Sequence, residues 1–455
     1  MSTFETRGFI PFLISLAFYI ILGPILLLLC LVNEIVRLGV WFYLQKRYQG
    51  KIVLVPDGAD ALWALKRQER TRMVVVCLKT DKLLPPEKVQ ENFDQVIFQE
   101  RDSSGHQVYS KLTQILVTKL GFACWKRDDN FDLKNHIRSL SPNKVFSKND
   151  MQKEITLMFQ DMTENRPQWE IILAPRFLDS DEESETSLWI FRYQHAYMDG
   201  FSLITLIGKM GHGLTYYIHP QNFHIPFGKK MMFYLNAVIF GPYAFIIITL
   251  NKFKSFWPHQ IPNDSAKTQT TYAWTNSMNK RDFASGTCPG GVSIGELAAL
   301  LPYSSLGPQN RFAIFMYHIN SLQDDFDRIR SSKEESWKGI TGPWIPLSFF
   351  VFKVSGRMPV FMHHIVLGGG SNSLMMSNLP ISKTKFRMLD VADLLEVWAF
   401  PPQPNDTGIT LFSAAYENTL KIAISAESSW LKEEELKSIV ERIPRVLNEW
   451  IKRLD

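Results

Sequence analysis

The stretch LWIFRYQHAYMDGFSLITLIGKMG, residues 188–211, decides how the chain is read. Leu188 to Tyr193 is apolar and aromatic and predicts a strand. Ser202 to Gly211 predicts a helix after it. Between them stands Tyr193-Gln-His-Ala-Tyr-Met-Asp-Gly200. A strand ends, His195 appears, and Asp199-Gly200 follows before a helix. A neutral imidazole at a strand end can accept a proton directly, which a hydroxyl nucleophile needs near neutral pH. Asp199 can hold the loop by pairing with an arginine or with backbone amides. Gly200 lets the chain turn where no side chain fits. This spacing also arises by chance, so its surroundings decide its meaning.

Upstream, Met73 to Leu78 reads as a buried strand and Pro86 to Gln99 as a helix. Ile115 to Leu120 and Gly121 to Lys126 are short and apolar, and Trp169 to Leu173 reads as a strand. Asp179 to Thr186 is acidic and reads as a surface loop. Downstream, Trp257 to Gly286 is polar and irregular, as a crossover would be. Helix-like SIGELAALL follows from Ser293, then strands at Arg311–Ile319, Pro359–Val366, Ser373–Ser377, Thr410–Ala415 and Lys421–Ala426. Leu431 to Leu454 closes as an amphipathic helix, with Glu early and Lys/Arg late as the helix dipole favours. The mixture predicts an α/β fold, a sandwich in two lobes. Residues 51–256 form the first lobe, 257–292 a linker and 293–455 the second lobe.

Phe9 to Val32 carries no charged side chain. As a helix it rises about 36 Å, enough to cross a hydrocarbon core. Residues 1–50 are therefore expected to form a membrane anchor. Gly23-Pro24 either kinks one transmembrane helix or turns a hairpin. A polar break at Asn33 to Arg37 precedes a second apolar stretch, Leu38 to Leu44. Arg37, Lys46, Arg47 and Lys51 follow the run, which places the bulk of the chain in the cytosol. The endoplasmic reticulum is the expected membrane, although no residue separates it from another. Met231 to Leu250 is also free of charge and is flanked by Lys229, Lys230, Lys252 and Lys254. It reads as a membrane-dipping segment or a buried core helix.

Other classes are disfavoured. The 455 residues carry a net charge of +5 with no long basic block, so nucleic-acid binding is not expected. Apolar residues make up 45% and charged residues 21%, which suits a folded core. Cys30, Cys77, Cys124 and Cys288 are far apart and form no CxxC, so neither a disulfide scaffold nor a zinc site is expected. No histidines show metal-ligand spacing, and no metal is expected. His363-His364 lies in a strand-like run and lacks a following Asp. Asn263 and Asn405 fit a glycosylation pattern that a cytosolic domain would leave unused.

On these residues the chain resembles the wax ester synthase/diacylglycerol acyltransferase family, of the coenzyme-A-dependent acyltransferases with a chloramphenicol-acetyltransferase-like fold. Gln194-His195 through Gly200 matches that family's HHxxxDG motif. Asp57-Gly-Ala-Asp60-Ala-Leu-Trp63 is similar to its opening motif, and Phe131-Asp-Leu-Lys-Asn-His136-Ile to its D-x-x-x-H-V step. Arg166-Pro167-Gln-Trp169-Glu170 resembles R-P-L-W-E, Asn310-Arg311-Phe312 resembles G-N-R, Ser377-Asn378-Leu379-Pro380 resembles S-N-V-P-G, and Gly408-Ile-Thr-Leu its last G-L-S/T strand. The order holds over residues 55–450.

The resemblance implies a tunnel between lobes, with His195 as the base. Acyl-coenzyme A would come from one side as co-substrate, and a long-chain alcohol or diacylglycerol from the other. It implies no permanently bound cofactor. Ser377 and Asn378 become candidates for oxyanion stabilisation or substrate positioning, against a structural turn before Pro380. Three departures stand out. Gln194 replaces the first histidine, Gly295-Glu296 stands where the family has Asn-Asp, and Ile381 replaces the glycine after Pro380. The alternatives are an inactive membrane-bound homologue that binds lipid, and acyl transfer to an amine or sterol.

Overall fold

The computed structural model describes residues 8–64, 72–159, 162, 165–179, 183–213, 226–251, 270–279, 307–308, 310, 325–363, 374–402, 408–428 and 430–454.

The N-terminal apolar run is one interrupted rod. α1 (Phe9–Ile21) passes into α2 (Gly23–Tyr48) through Leu22, which keeps helical dihedrals. The Leu22 amide donates to Phe18 O (2.8 Å) and the Leu26 amide to Leu22 O (2.9 Å). Pro24 has no N–H for the ladder, so Gly23-Pro24 interrupts one helix and does not turn a hairpin. The polar residues at 33–37 are also helical. They are the contact with the body: Arg357 donates to Glu34 through Nε (2.8 Å) and Nη2 (2.5 Å), and Arg37 donates to Val55 O (2.7 Å). What reads as a break in an apolar run is thus the anchoring face of a helix.

The chain then forms β1 (Ile52–Leu54), α3 (Gly58–Ala61), β2 (Met73–Thr80) and α4 (Pro86–Phe93). The hairpin of β3 (Gln114–Lys119) and β4 (Phe122–Arg127) follows, turning at Leu120 and Gly121, both left-handed at φ 48° and 82°. Next come β5 (Ile137–Ser139), β6 (Phe146–Ser147) and α5 (Lys148–Met158), which Ser147 and Asp150 close with a reciprocal capping box. β7 (Trp169–Leu178), β8 (Thr186–Gln194), α6 (Gly200–Lys209) and β9 (Gly211–His212) lead to the long α7 (Phe227–Asn251).

The second half contains β10 (Thr270–Trp274), β11 (Met278–Asn279), α8 (Asp325–Thr341) and α9 (Trp344–Ser355). It ends with β12 (Leu374–Ser382), β13 (Arg387–Met388), β14 (Ala392–Phe400), β15 (Ile409–Tyr416), β16 (Thr419–Glu427) and α10 (Glu433–Leu454).

Among the described residues the strands make three sheets. One is β1-β4-β3. The largest runs β5-β7-β8-β2-β14-β13-β9, with β6 also on β7. The third runs β10-β16-β15-β12, with β11 on β16. β13 and β14 belong to the second half of the chain yet extend the sheet of the first half, with Val397 opposite Leu78. A boundary drawn along the sequence therefore does not follow the sheets. Trp398 of β14 is fully buried and stacks 5.5 Å from Trp274 of β10, so one aromatic core joins both sheets. Burying each such ring contributes about 1.5–3 kcal/mol.

The structure corrects several expectations. The polar region 257–286 contains β10 and β11, because both are edge additions to β16 and need little apolar pattern of their own. Residues 360–362 form a 3₁₀ turn, not a strand, and His363 closes it with Nε2 bonded to Met358 O (3.1 Å). Asp179 is buried and pairs with Lys148 (3.7 Å) and Lys421 (3.8 Å), so this end of the acidic loop is not surface. Residues 325–355, which carry no clear period in the sequence, form α8 and α9. The SIGELAALL helix, the Arg311–Ile319 strand, Asn263, Asn405 and Cys288 lie outside the described residues.

Candidate active site

β8 is buried along its whole length and pairs with β2 and β7, which fixes where Gln194 ends. From there several bonds hold the loop. The His195 amide donates to Arg72 O (2.9 Å) and the Tyr197 amide to Gln194 O (3.0 Å). The Tyr197 hydroxyl donates to Gln114 O (2.5 Å) and accepts from the Gln168 amide (3.1 Å). Asp199 is extended and caps α6 by accepting from the Ser202 amide (2.8 Å). This backbone-amide role is one of the two expected of it.

His195 is half-buried, and its ring stacks on the Trp63 indole, with centroids 4.2 Å apart and planes at 16°. Burial pulls its pKa below the ordinary 6.5, and the Asp199 carboxylate opposes that pull. Desolvation is the larger effect, so the imidazole is neutral at neutral pH.

Below the loop lies a network that was not assigned from the sequence. Asn310 is fully buried. Its Nδ2 donates to Asp60 Oδ1 (2.7 Å), to the carbonyl of His195 (2.7 Å) and to that of Ala196 (3.3 Å). Its amide also donates to Asp60 Oδ1 (3.2 Å), and Lys111 Nζ lies 2.6 Å from Asp60 Oδ2. Burial raises the Asp60 pKa, and Lys111 works against that rise. The motifs around Asp60, His195 and Asn310 thus converge from distant positions in the chain. Their motif order was the only sequence signal, because a side chain that bonds a carbonyl leaves no pattern.

Gly200 has an ordinary negative φ, so a tight turn does not require it. A Cβ there would lie 3.0 Å from Leu379 Cδ2 of β12. Glycine lets that strand approach the start of α6. In β12, Met375, Ser377 and Leu379 alternate with the more exposed Leu374, Met376 and Asn378. Ser377 thus shares a face with Leu379, towards Gly200. Asn378 faces the other way and accepts from Ser413 Oγ (2.9 Å). The period of two in a strand separates the two neighbours and counts against Asn378 as an oxyanion donor.

His136 and Glu170 are framework residues. His136 is buried against the rings of Phe131 and Trp169, with Nδ1 2.6 Å from Trp169 O. Glu170 is held by Arg192 (2.8 Å), Arg138 (3.2 Å) and Arg166 (3.7 Å). Gln194 is buried, and its Oε1 has no hydrogen-bond partner among the described residues. No group of three His, Cys, Asp or Glu side chains suited to a metal occurs among the described residues.

Neither a protein-family model nor a curated protein sequence matches the chain. Solved structures do. Wax ester synthase/diacylglycerol acyltransferase from Marinobacter aquaeolei VT8 aligns over 88% of this chain and 98% of its own, at 14% identity and a TM-score of 0.51. The starter condensation domain of rhizomide synthetase RzmA, solved with C8-CoA, covers 89% of this chain and 96% of its own, at 9% identity and a TM-score of 0.52. The chain therefore has the two-lobed α/β fold of condensation domains and acyltransferases.

Proposed function

We propose that the chain is an acyl-coenzyme-A-dependent O-acyltransferase with His195 as general base. The observation that carries this reading is the place of the His195 ring between β8 and α6. It is stacked on Trp63 in a loop held by the His195 and Tyr197 amides and by Asn310 on the His195 carbonyl. The Marinobacter protein is named as a wax ester synthase and diacylglycerol acyltransferase, and the condensation domain was solved with C8-CoA, which favours the same substrate class here. A long-chain alcohol or diacylglycerol is the acceptor.

The hydroxyl attacks the thioester carbonyl as His195 takes its proton. The tetrahedral intermediate expels the coenzyme A thiolate, and the imidazolium returns the proton to sulfur. The products are an ester and free coenzyme A, so no bound cofactor is needed. Asp199 holds the loop and steadies the imidazolium. Ser377, on the β12 face towards Gly200, donates to the oxyanion.

Both substrates partition into lipid, which suits an enzyme held on a membrane such as the endoplasmic reticulum with its catalytic part in the cytosol. The test is purified protein in lipid, given labelled acyl-coenzyme A and a panel of alcohol, diacylglycerol, sterol and amine acceptors. Ester formation with the first two, lost in His195→Ala at unchanged folding, supports the proposal. Equal turnover by the variant would overturn His195 as the base, and no ester from either protein would leave a lipid-binding role.

A further inference from the structure

The sequence marks two apolar segments, and the structure adds how they are joined. α7 carries Pro242 in its interior. A proline there has no N–H for the carbonyl four residues back, and its ring disturbs the ladder beside it. The orphaned carbonyl is that of Val238, and the Tyr19 hydroxyl donates to it (2.6 Å). The next amide, Tyr243, donates to Ser15 Oγ (3.1 Å). Ser15 and Tyr19 are four apart on α1, so one face of that helix supplies both partners. Ser15 is 1% exposed, whereas Phe12, Leu16 and Ile20 around the same rod are 41%, 42% and 67% exposed.

Polar side chains that complete a broken backbone ladder under an apolar exterior are what hydrocarbon demands, since no water can serve the freed groups. The apolar exterior continues along Phe42 and Tyr43 of α2 and onto Phe350 and Val354 of α9. Tyr234 of α7 lies 5.9 Å from Phe350 between ring centroids. The aromatic run Trp41-Phe42-Tyr43 gives way to Lys46 and Arg47, the order found at a membrane interface.

The pairing also fixes depth. Ser15 meets Tyr243 and Tyr19 meets Val238, so α1 and α7 are antiparallel and the Asn251 end of α7 lies towards Phe9. The chain must then return to β10, which pairs with β16 in the body. Residues 252–269 include Lys252, Lys254, His259, Asp264 and Lys267. Had α1 crossed a bilayer, α7 would have crossed beside it, and that polar segment would have to come back through hydrocarbon, at prohibitive cost.

We propose that α1, the apolar face of α2, α7 and the outer face of α9 form one lipid-embedded unit, locked by Ser15 and Tyr19 across the Pro242 break, that enters a single leaflet. The partner is a phospholipid surface, and the N-terminus stays on the same side as the body. This replaces a spanning anchor with a monotopic one. It concerns docking alone and does not depend on the proposed acyl transfer.

The full-length protein, with an epitope tag before Met1, is added to preformed phosphatidylcholine/phosphatidylserine vesicles, floated and treated with protease outside. The expected result is co-flotation with tag and body both cleaved. A tag protected until detergent is added overturns the one-leaflet topology, and failure to float overturns the lipid partner. The lock is read from the fraction still bound after an alkaline wash. Tyr19→Phe should lower it roughly fivefold or more, but not in a Pro242→Ala background, where residue 242 again serves Val238 O. Equal loss in both backgrounds, or none in either, overturns the lock. Ester synthesis that survives with altered flotation, or the reverse, separates this proposal from the catalytic one.

Discussion

Replacing Asn310 by leucine keeps the branched shape of the side chain and removes its donor. The carboxylate of Asp60 then loses a 2.7 Å bond and the carbonyl of His195 another, while the Asn310 amide and Lys111 still reach Asp60. A hydrogen bond to a charged group is worth about 1.5–3 kcal/mol, and a stranded buried carbonyl costs about 1–3 kcal/mol. The sum, about 2.5–6 kcal/mol, is a large part of the ~5–15 kcal/mol that holds a typical domain. It should appear as a lower denaturant midpoint at unchanged slope. Because the lost bond is to the residue carrying the base, kcat should also fall. A displacement of about 1 Å costs up to ~100-fold, while KM for acyl-coenzyme A should stay within about twofold, since a merely less stable enzyme would lose active fraction without misplacing the base. A midpoint shift below about 1 kcal/mol, or an unchanged kcat in the folded variant, would refute the view that Asn310 positions His195.

Other outcomes follow from the same geometry. The pKa of His195 is lowered below 6.5, so the folded chain holds fewer protons than the unfolded one between the lowered value and 6.5. Its contribution to stability is therefore present above that window and lost as pH falls through it. kcat/KM should likewise hold level through neutral pH and decline only below 6.5, and His195→Gln should make the acid-side stability slope shallower, with buried His136, also lowered, keeping part of it. An acid limb centred above 6.5 would contradict the assignment. Lys111→Met or Asp60→Asn alone leaves a buried charge and should cost roughly 3–5 kcal/mol, whereas the double variant should recover much of it. Additive losses in calorimetry would show that the two are not coupled. Gly58→Ala would place a Cβ 1.9 Å from Lys353 O, and Gly356→Ala one 1.8 Å from Gly58 O. Each should lower stability by about 1–3 kcal/mol or more, and a silent pair would mean that α3 and the end of α9 are not in contact.

Much of this protein is legible along the chain. The strands at 73–80, 186–194, 409–416 and 419–427, the helix at 200–209 and the apolar helices carry strong periodicity or long apolar runs. Those signals are local, because each side chain reports the face it stands on. β10 and β11 escaped notice because an edge strand needs one neighbour and little pattern. α9 is hard to read along the chain because its apolar residues surround the helix and leave no stripe.

The residues alone determined the α/β character, the apolar N-terminus and the position of a histidine between a strand and a helix, since these depend on spacing within one element. Only the tertiary structure decided that Asp60 and Asn310 meet beneath His195, that Asn378 turns away while Ser377 does not, and that Ser15 and Tyr19 complete the backbone of a helix far along the chain. Hydrogen bonds between remote segments depend on where the fold brings a donor and an acceptor within 3 Å, and no local pattern of side chains encodes that distance.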